Sequence, residues 1–162
     1  MAIQALVIFD SVHGNTEKIA RAIGDGLSKD SVEVDVLSTK EVNLNRLGNN
    51  DLLVVGAPTH AGRPSSNMKE FLTDIPEGTI KNKKVSAFDT RIEGREKGIG
   101  IRILTGVLGY AAGRIVKSLK KKGGELVVEP EGFIVDGREG PLKQGELDRA
   151  RNWAKEIVQS IA

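Results

Sequence analysis

The sequence contains no cysteine. That absence removes disulfides, thiolate nucleophiles, iron–sulfur ligation and zinc–thiolate sites together. Aromatic residues are scarce, with four Phe, one Trp and one Tyr, so few rings are on hand to wall a flat ligand. Long hydrophobic runs are missing as well. The longest, Ala5 to Phe9, is far too short to span a bilayer, which argues against a membrane protein. No basic segment precedes it and no small-residue cleavage site follows, so the expectation is a cytoplasmic protein without a signal peptide. Neither sign of charge dominates. The 24 Lys and Arg against 22 Asp and Glu give a formal net charge of +2, which makes no case for a nucleic-acid partner.

What is present suits a globular domain. A chain of 162 residues, 39% hydrophobic and 28% charged, fits one domain over 1–162 around one core. Ile3 to Phe9 reads as a buried parallel strand. Thr16, Ile19, Ala20, Ile23 and Leu27 follow at helical spacing, with Gly24 and Gly26 weakening that helix slightly. Val32, Val34 and Val36 alternate with Glu33 and Asp35, as in an edge strand with one wet face. A short helix is expected over Asn43 to Leu47, a buried strand over Leu52 to Ala57, and a loop over Pro58 to Pro64. Met68, Phe71, Leu72 and Ile75 mark a helix face, and Lys84 to Phe88 a fourth strand. A long polar loop, Asp89 to Gly100, leads into a helix whose apolar positions run from Ile101 to Leu119 and which Gly123-Gly124 ends. Leu126 to Val128 and Gly132 to Val135 read as one fifth strand bent around Pro130. Leu147, Ala150, Ala154, Ile157 and Ile161 define the closing helix. Strands alternating with helices predict a parallel sheet covered on both faces. Lys120-Lys121-Lys122 reads as a basic run complementing the dipole at a helix C-terminus.

The strongest chemical signal is Ser11-Val12-His13-Gly14-Asn15-Thr16, between the first strand and the first helix. Such a loop gathers backbone N–H groups at the positive end of a helix dipole, with Ser11 and Thr16 adding hydroxyls. Gly14 lets the backbone turn without a Cβ clash. The loop holds no Lys or Arg, and a phosphate monoester cradled by N–H groups needs none. The simpler alternative is a helix cap by Asn15 or Thr16, which accounts for one polar residue but not for all six.

The stretch Val7 to Thr16, followed by Ile19 and Ala20, resembles the phosphate loop of the flavodoxin family. Gly56-Ala57-Pro58-Thr59-His60-Ala61-Gly62-Arg63-Pro64 is similar to that family's second flavin loop, and Ala87-Phe88-Asp89-Thr90-Arg91 stands where the third would be. The tail, with Gly132-Phe133, Gly140-Pro141-Leu142, Gly145-Glu146 and Arg149-Ala150 through Trp153, resembles poorly characterised microbial members. The resemblance implies a three-layer α/β/α sandwich with five parallel strands in the order 2-1-3-4-5, and FMN at their carboxyl ends. It implies that Ser11, Val12, His13, Gly14, Asn15 and Thr16 hold the FMN phosphate. Pro58, Thr59, His60, Ala61 and Gly62 would lie along one side of the isoalloxazine, and Asp89, Thr90 and Arg91 would approach its pyrimidine edge or other face.

The sequence departs from flavodoxins in two respects. His60 and Arg91 stand where aromatic rings are usual, and their planes bury less area on a flavin. Arg63, Arg91, Arg95 and Lys97 make the predicted flavin loops basic rather than acidic, which would favour the anion of the reduced cofactor. Both histidines of the chain fall in these loops, and a metal site would need a further ligand such as Asp10 or Asp89. Asp10 ends the first strand as in response-regulator receivers, but Gly56-Ala57-Pro58 offers no phosphorylatable Asp. Three functions stay open: an FMN electron carrier serving a redox partner protein, a small NAD(P)H-dependent FMN oxidoreductase with a quinone-like acceptor, and a flavin-free interaction module. Either a monomer or a homodimer is compatible with the sequence.

Overall fold

The structure is a computed structural model that describes residues 2–28, 31–92 and 110–162. Its strands are β1 (Ile3–Phe9), β2 (Val32–Ser38), β3 (Leu52–His60), β4 (Arg63–Pro64), β5 (Lys84–Ile92), β6 (Glu125–Leu126) and β7 (Glu131–Val135). Its helices are α1 (Asn15–Leu27), α2 (Ser66–Asp74), α3 (Ala111–Lys121) and α4 (Glu146–Ile161), with a short 3-10 helix at Leu44–Asn49. The first half of the helix expected from Ile101 onward lies outside the described residues.

The core sheet runs β2-β1-β3-β5, with β6 and β7 both parallel to β5 on its outer side. Lys84 and Val85 pair with β6, and Phe88 to Ile92 pair with β7. These two pieces are one fifth strand broken at Pro130, where a missing N–H cannot join the ladder. The result is a three-layer α/β/α sandwich with the strand order 2-1-3-4-5.

Strand alternation sorts the apolar side chains into two cores. Leu6, Ile8, Leu53, Val55, Val85 and Ala87 face α2 and α3. Ala5, Val7, Phe9, Leu52, Val54 and Phe88 face α1 and α4. On that second side Phe88, Phe133 and Trp153 meet edge to face, with centroids 6.1–6.3 Å apart. Such contacts add about 0.5–1.5 kcal/mol each beyond area burial. The remaining rings, Phe9, Phe71 and Tyr110, are buried too. Every aromatic residue of the chain is therefore committed to packing. Among the described residues, no helix is long and apolar enough to cross a membrane.

Two strands outlast their sequence-based ends. β3 continues through Pro58, Thr59 and His60, and Ala61-Gly62 then close a two-residue hairpin to β4. Both turn residues have positive φ, 51° and 77°, as a primed hairpin turn requires. Likewise β5 runs to Ile92 because β7 supplies a partner for Asp89, Thr90 and Arg91, which lie on a strand and not in a loop.

The α1 glycines have a role that helix propensity does not capture. A Cβ at Gly24 would come 2.7 Å from Val36, and one at Gly26 would come 2.5 Å from the Arg151 carbonyl and 2.7 Å from Ala154 Cβ. They let α1 settle closely on β2 and on α4. Gly26→Ala is therefore expected to destabilise the protein by about 1–3 kcal/mol through overpacking, although alanine is the better helix former by about 1 kcal/mol. Urea denaturation checks this; an unchanged or higher midpoint would contradict the close-packing role.

Candidate functional site

At the carboxyl end of the sheet, the segments after β1 and β7 and the ends of β3 and β5 surround a cleft of about 140 Å³. Val12, His13, Asn15 and Thr16 line it from the first segment, Pro58, Thr59 and His60 from the second, and Thr90, Arg91 and Ile92 from β5. Val135, Gly137 and Arg138 complete it. Ser11, Gly14, Ala61, Gly62 and Asp89 are not part of the lining.

The first segment is shaped by its own hydrogen bonds. Gly14 is the N-cap of α1 in the left-handed region, φ 91°, and no side chain caps the helix from that position. Ser11 Oγ instead accepts from the Gly14 and Glu17 N–H groups at 3.1 and 3.3 Å. The cap thus comes from Ser11, and the Asn15 and Thr16 side chains are engaged elsewhere. Asn15 Nδ2 donates to the Glu139 carbonyl at 3.1 Å, and Thr16 Oγ1 lies 2.8 Å from Thr90 Oγ1. Among the described residues, the N–H groups of Val12, His13, Asn15 and Thr16 have no acceptor. Free donors at a helix N-terminus lie at the positive end of its dipole, where an anion is favoured. Asp10 anchors the segment from behind, accepting from Ser65 Oγ at the start of α2 and from Asn67 Nδ2 at 3.5 Å.

The segment after β7 brings a residue that sequence reasoning missed. It folds back so that Val135 bridges Leu142, and Gly140 leaves room for the Asn15 amide, 2.9 Å from where a Cβ would stand. This carries Arg138 to the cleft, exposed and without an ion pair or hydrogen bond among the described residues. The glycines at 137 and 140 were the available hint. The base of the segment is tied down by Arg149, which bonds Glu131 at 2.9 Å, Glu146 at 2.7 Å and the Gly132 carbonyl, and lies over the Phe133 ring. Burial pushes the Glu146 carboxyl up, but Arg149 and the Ile134 N–H outweigh it and hold it below the usual range.

Asp89 and Arg91 behave as a unit. Asp89 is fully buried, receives two 2.8 Å hydrogen bonds from Arg91, and accepts the Ala112 N–H at 2.9 Å. The Arg91 guanidinium also stacks 3.5 Å above the Tyr110 ring centroid. Gly132 makes space for it, since a Cβ there would fall 2.2 Å from Arg91 Cζ. Asp89 is thus turned toward α3 and away from the cleft. The Arg91 charge is neutralised by its neighbour, so among the described residues the unpaired cation lining the cleft is Arg138. Arg63 points to another groove, and Arg95 and Lys97 lie outside the described residues. Among the described residues, no three His, Asp or Glu groups converge as a metal site would require.

A parallel doubly wound sheet with its cleft where β1 and β3 diverge defines the class of flavodoxin-like three-layer α/β/α proteins. The family model described as flavodoxin matches residues 7–153, and the chain belongs to the flavodoxin family. It is 27% identical to a flavodoxin of Aquifex aeolicus over 98% of this chain and 87% of that one. With a flavodoxin of Maridesulfovibrio salexigens it shares 25% identity over 98% and 99%. The match to the Clostridium beijerinckii flavodoxin, 30% identical, spans 51% of this chain and 60% of that protein. Among solved structures, a flavodoxin from the domain Archaea superposes with a TM-score of 0.75 at 20% identity, covering 98% of this chain and 99% of that one. Flavodoxin 2 from Bacillus cereus gives 0.74 at 21%, covering 96% and 98%.

The buried pair yields a pH-dependent expectation. Burial raises the Asp89 carboxyl, and Arg91 and the Ala112 N–H oppose that rise. Removing Arg91 lets it rise further and leaves a buried charge unpaired, a loss of about 3–5 kcal/mol. A carboxyl whose folded pKa exceeds its unfolded value, about 3.9, binds its proton more tightly in the fold, so stability falls as pH climbs above that value. Arg91→Ala is expected to lose more stability at about pH 7 than at about pH 4. Urea denaturation at both values checks this, and an equal loss at the two would show that Arg91 does not govern the protonation of Asp89.

Proposed function

We propose that this protein binds FMN non-covalently and carries electrons to or from a redox partner protein. In this reading residues 1–162 act as one flavodoxin-like domain in the cytoplasm, as a monomer or homodimer. The observation that carries it is the group of four N–H donors without an acceptor among the described residues, at Val12, His13, Asn15 and Thr16, in a cleft on the carboxyl edge of the sheet. Their charge preference and geometry suit a phosphate dianion.

The FMN phosphate would be held by these donors, with Ser11 and Gly14 fixing the loop and Arg138 supplying a counter-charge at the lip. The cleft is smaller than the 300–1,000 Å³ of common ligand pockets. It fits the phosphate end, while the rest of the cofactor would extend along Pro58, Thr59, His60, Ala61 and Gly62 on one side and Thr90 and Arg91 on the other. Val12, 56% exposed, offers an apolar surface beside that path. FMN supplies one- and two-electron chemistry when bound. The protein's own part is to bind, orient and partly shield it.

A second reading is favoured by one observation. All six aromatic side chains are buried, so no ring walls the cleft and a flavin face would stay open to a flat reactant. That supports an NAD(P)H-dependent oxidoreductase passing electrons to a quinone-like acceptor. Turnover of NADPH or NADH by the FMN-loaded protein plus a quinone, with no other protein added, separates this reading from the carrier.

Titration of the protein with FMN and with riboflavin, followed by flavin fluorescence, tests the site itself. FMN is expected to bind much more tightly than riboflavin. Arg138→Ala is expected to weaken FMN about two- to fivefold, the range of an exposed ion pair, and to leave riboflavin unchanged. Equal binding of both flavins, or of neither, would remove the phosphate cradle from the argument.

A further inference from the structure

On the opposite side of the hairpin from the cleft, α2 and α3 enclose a larger groove of about 530 Å³. Among the described residues six cations line it, Arg63, Lys69, Arg114, Lys117, Lys121 and Lys122, and no carboxylate does. In a chain with 24 basic and 22 acidic residues, this is a strong local segregation. Pro64 and Leu72, both buried, form an apolar floor, and Ser118 and Thr73 add hydroxyls. We propose that this groove is a docking site for an extended acidic segment of a partner protein.

The cations are arranged rather than scattered. Arg114, Lys117, Ser118 and Lys121 fall at helical spacing and form one face of α3. From Arg114 to Lys121 that face extends about 10 Å, the span of three residues of extended chain. Two cations already have structural duties. Lys122 Nζ donates to the Ile75 carbonyl at 2.7 Å and pairs with Glu77, and Arg114 Nε donates to the Gly62 carbonyl at 3.0 Å. Arg63, Lys69, Lys117 and Lys121 make no ion pair among the described residues and are exposed. Four uncompensated charges around an apolar floor repel one another, and carboxylates spaced along a chain relieve that repulsion.

Other anions fit less well. Single-stranded nucleic acid is held by base stacking on aromatic rings, and all six rings are buried. A compact polyphosphate prefers a helix N-terminus, whereas Lys121 and Lys122 stand at the C-terminal, electronegative end of α3. The groove also adjoins the site. Across the hairpin Arg63 pairs with His60, so one residue of the pair lines the groove and the other the cleft. A segment seated here would bring its protein to the hairpin side of the cleft. That the partner is a redox protein rests on the carrier reading above; the preference for an acidic segment does not.

The test is fluorescence anisotropy of a fluorescein-labelled peptide of glutamate and leucine, with the protein alone and with FMN added. The peptide is expected to bind at low salt and to weaken as salt approaches physiological strength. Lys69→Glu, Lys117→Glu and Lys121→Glu together are expected to weaken it at least about tenfold, and Lys117→Glu alone about threefold. Reversing exposed Lys18, Lys40 and Lys155, which lie outside the groove, matches the change in net charge and is expected to have little effect. Equal losses from the two triple variants would overturn the proposal, because binding would then follow net charge alone. Displacement of the peptide by tripolyphosphate at far lower concentration than by unlabelled peptide would overturn it in favour of a small-anion site. Peptide binding without FMN binding would sink the carrier reading and leave the groove assigned.

Discussion

The site exists because β1 and β3 are neighbours in the sheet while the chain leaves them toward opposite faces. After β1 it enters α1, which packs with α4 against one side; after β3 it enters α2, which packs with α3 against the other. Right-handed crossovers between parallel strands make this reversal obligatory for the order 2-1-3-4-5. The two segments must part company at the sheet edge, and the opening between them is the crevice. The last rungs of the ladder hold its walls in place. The Asp10 N–H donates to the Gly56 carbonyl, and Asp10 itself reaches across to Ser65 at the start of α2. On the other flank, pairing of β5 with β7 as far as Ile92 keeps Thr90 beside Thr16.

The same sheet explains why the cleft lacks aromatic walls. Gly56 is where the Phe88 ring lies flush against β3; a Cβ there would stand 2.2 Å from the ring. Phe88 in turn gathers Phe133 and Trp153, which join β5, β7 and α4. With six rings in the chain, filling the cores leaves none for the rim. Tyr110 is covered by Arg91, which itself lines the cleft. The cleft is therefore built asymmetrically, with backbone N–H donors at its α1 end and non-aromatic side chains elsewhere.

The fold was legible in the sequence because it depends on patterns that survive averaging. Continuous apolar runs marked β1 and β3, alternation marked β2, and helical spacing marked α1 and α4. The passage from the Ser11–Thr16 loop into α1 was legible for the same reason, since the loop and its helix are contiguous, and the helix begins at Asn15, one residue before the expected Thr16. What could not be read was anything set by a distant partner. β5 appeared to end at Phe88 because Asp89 and Arg91 look like loop residues; only β7 and their mutual ion pair make them strand residues. Asp89 looked available to a ligand because burial against α3 is invisible locally. Arg138 was missed because its approach depends on a return path closed by Gly140 and Leu142.

Charge illustrates the same limit from the other direction. The eye is drawn to consecutive lysines at 120–122, yet consecutive residues turn about 100° apart around a helix, so three in a row spread over about 200° of its circumference. Lys120 is outside the groove, and Lys122 is occupied by the carbonyls ending α2. The residues that do act together, Arg114, Lys117 and Lys121, are separated in sequence by apolar residues of the α3 core, Ile115, Val116 and Leu119. Alternation of this kind is what an amphipathic helix requires, so it draws no notice as a charge motif. It becomes a single electrostatic feature only when α2 adds Lys69 and β4 adds Arg63 across the gap. A nearly neutral composition is thus compatible with one strongly basic surface, because net charge counts residues while a partner responds to their placement.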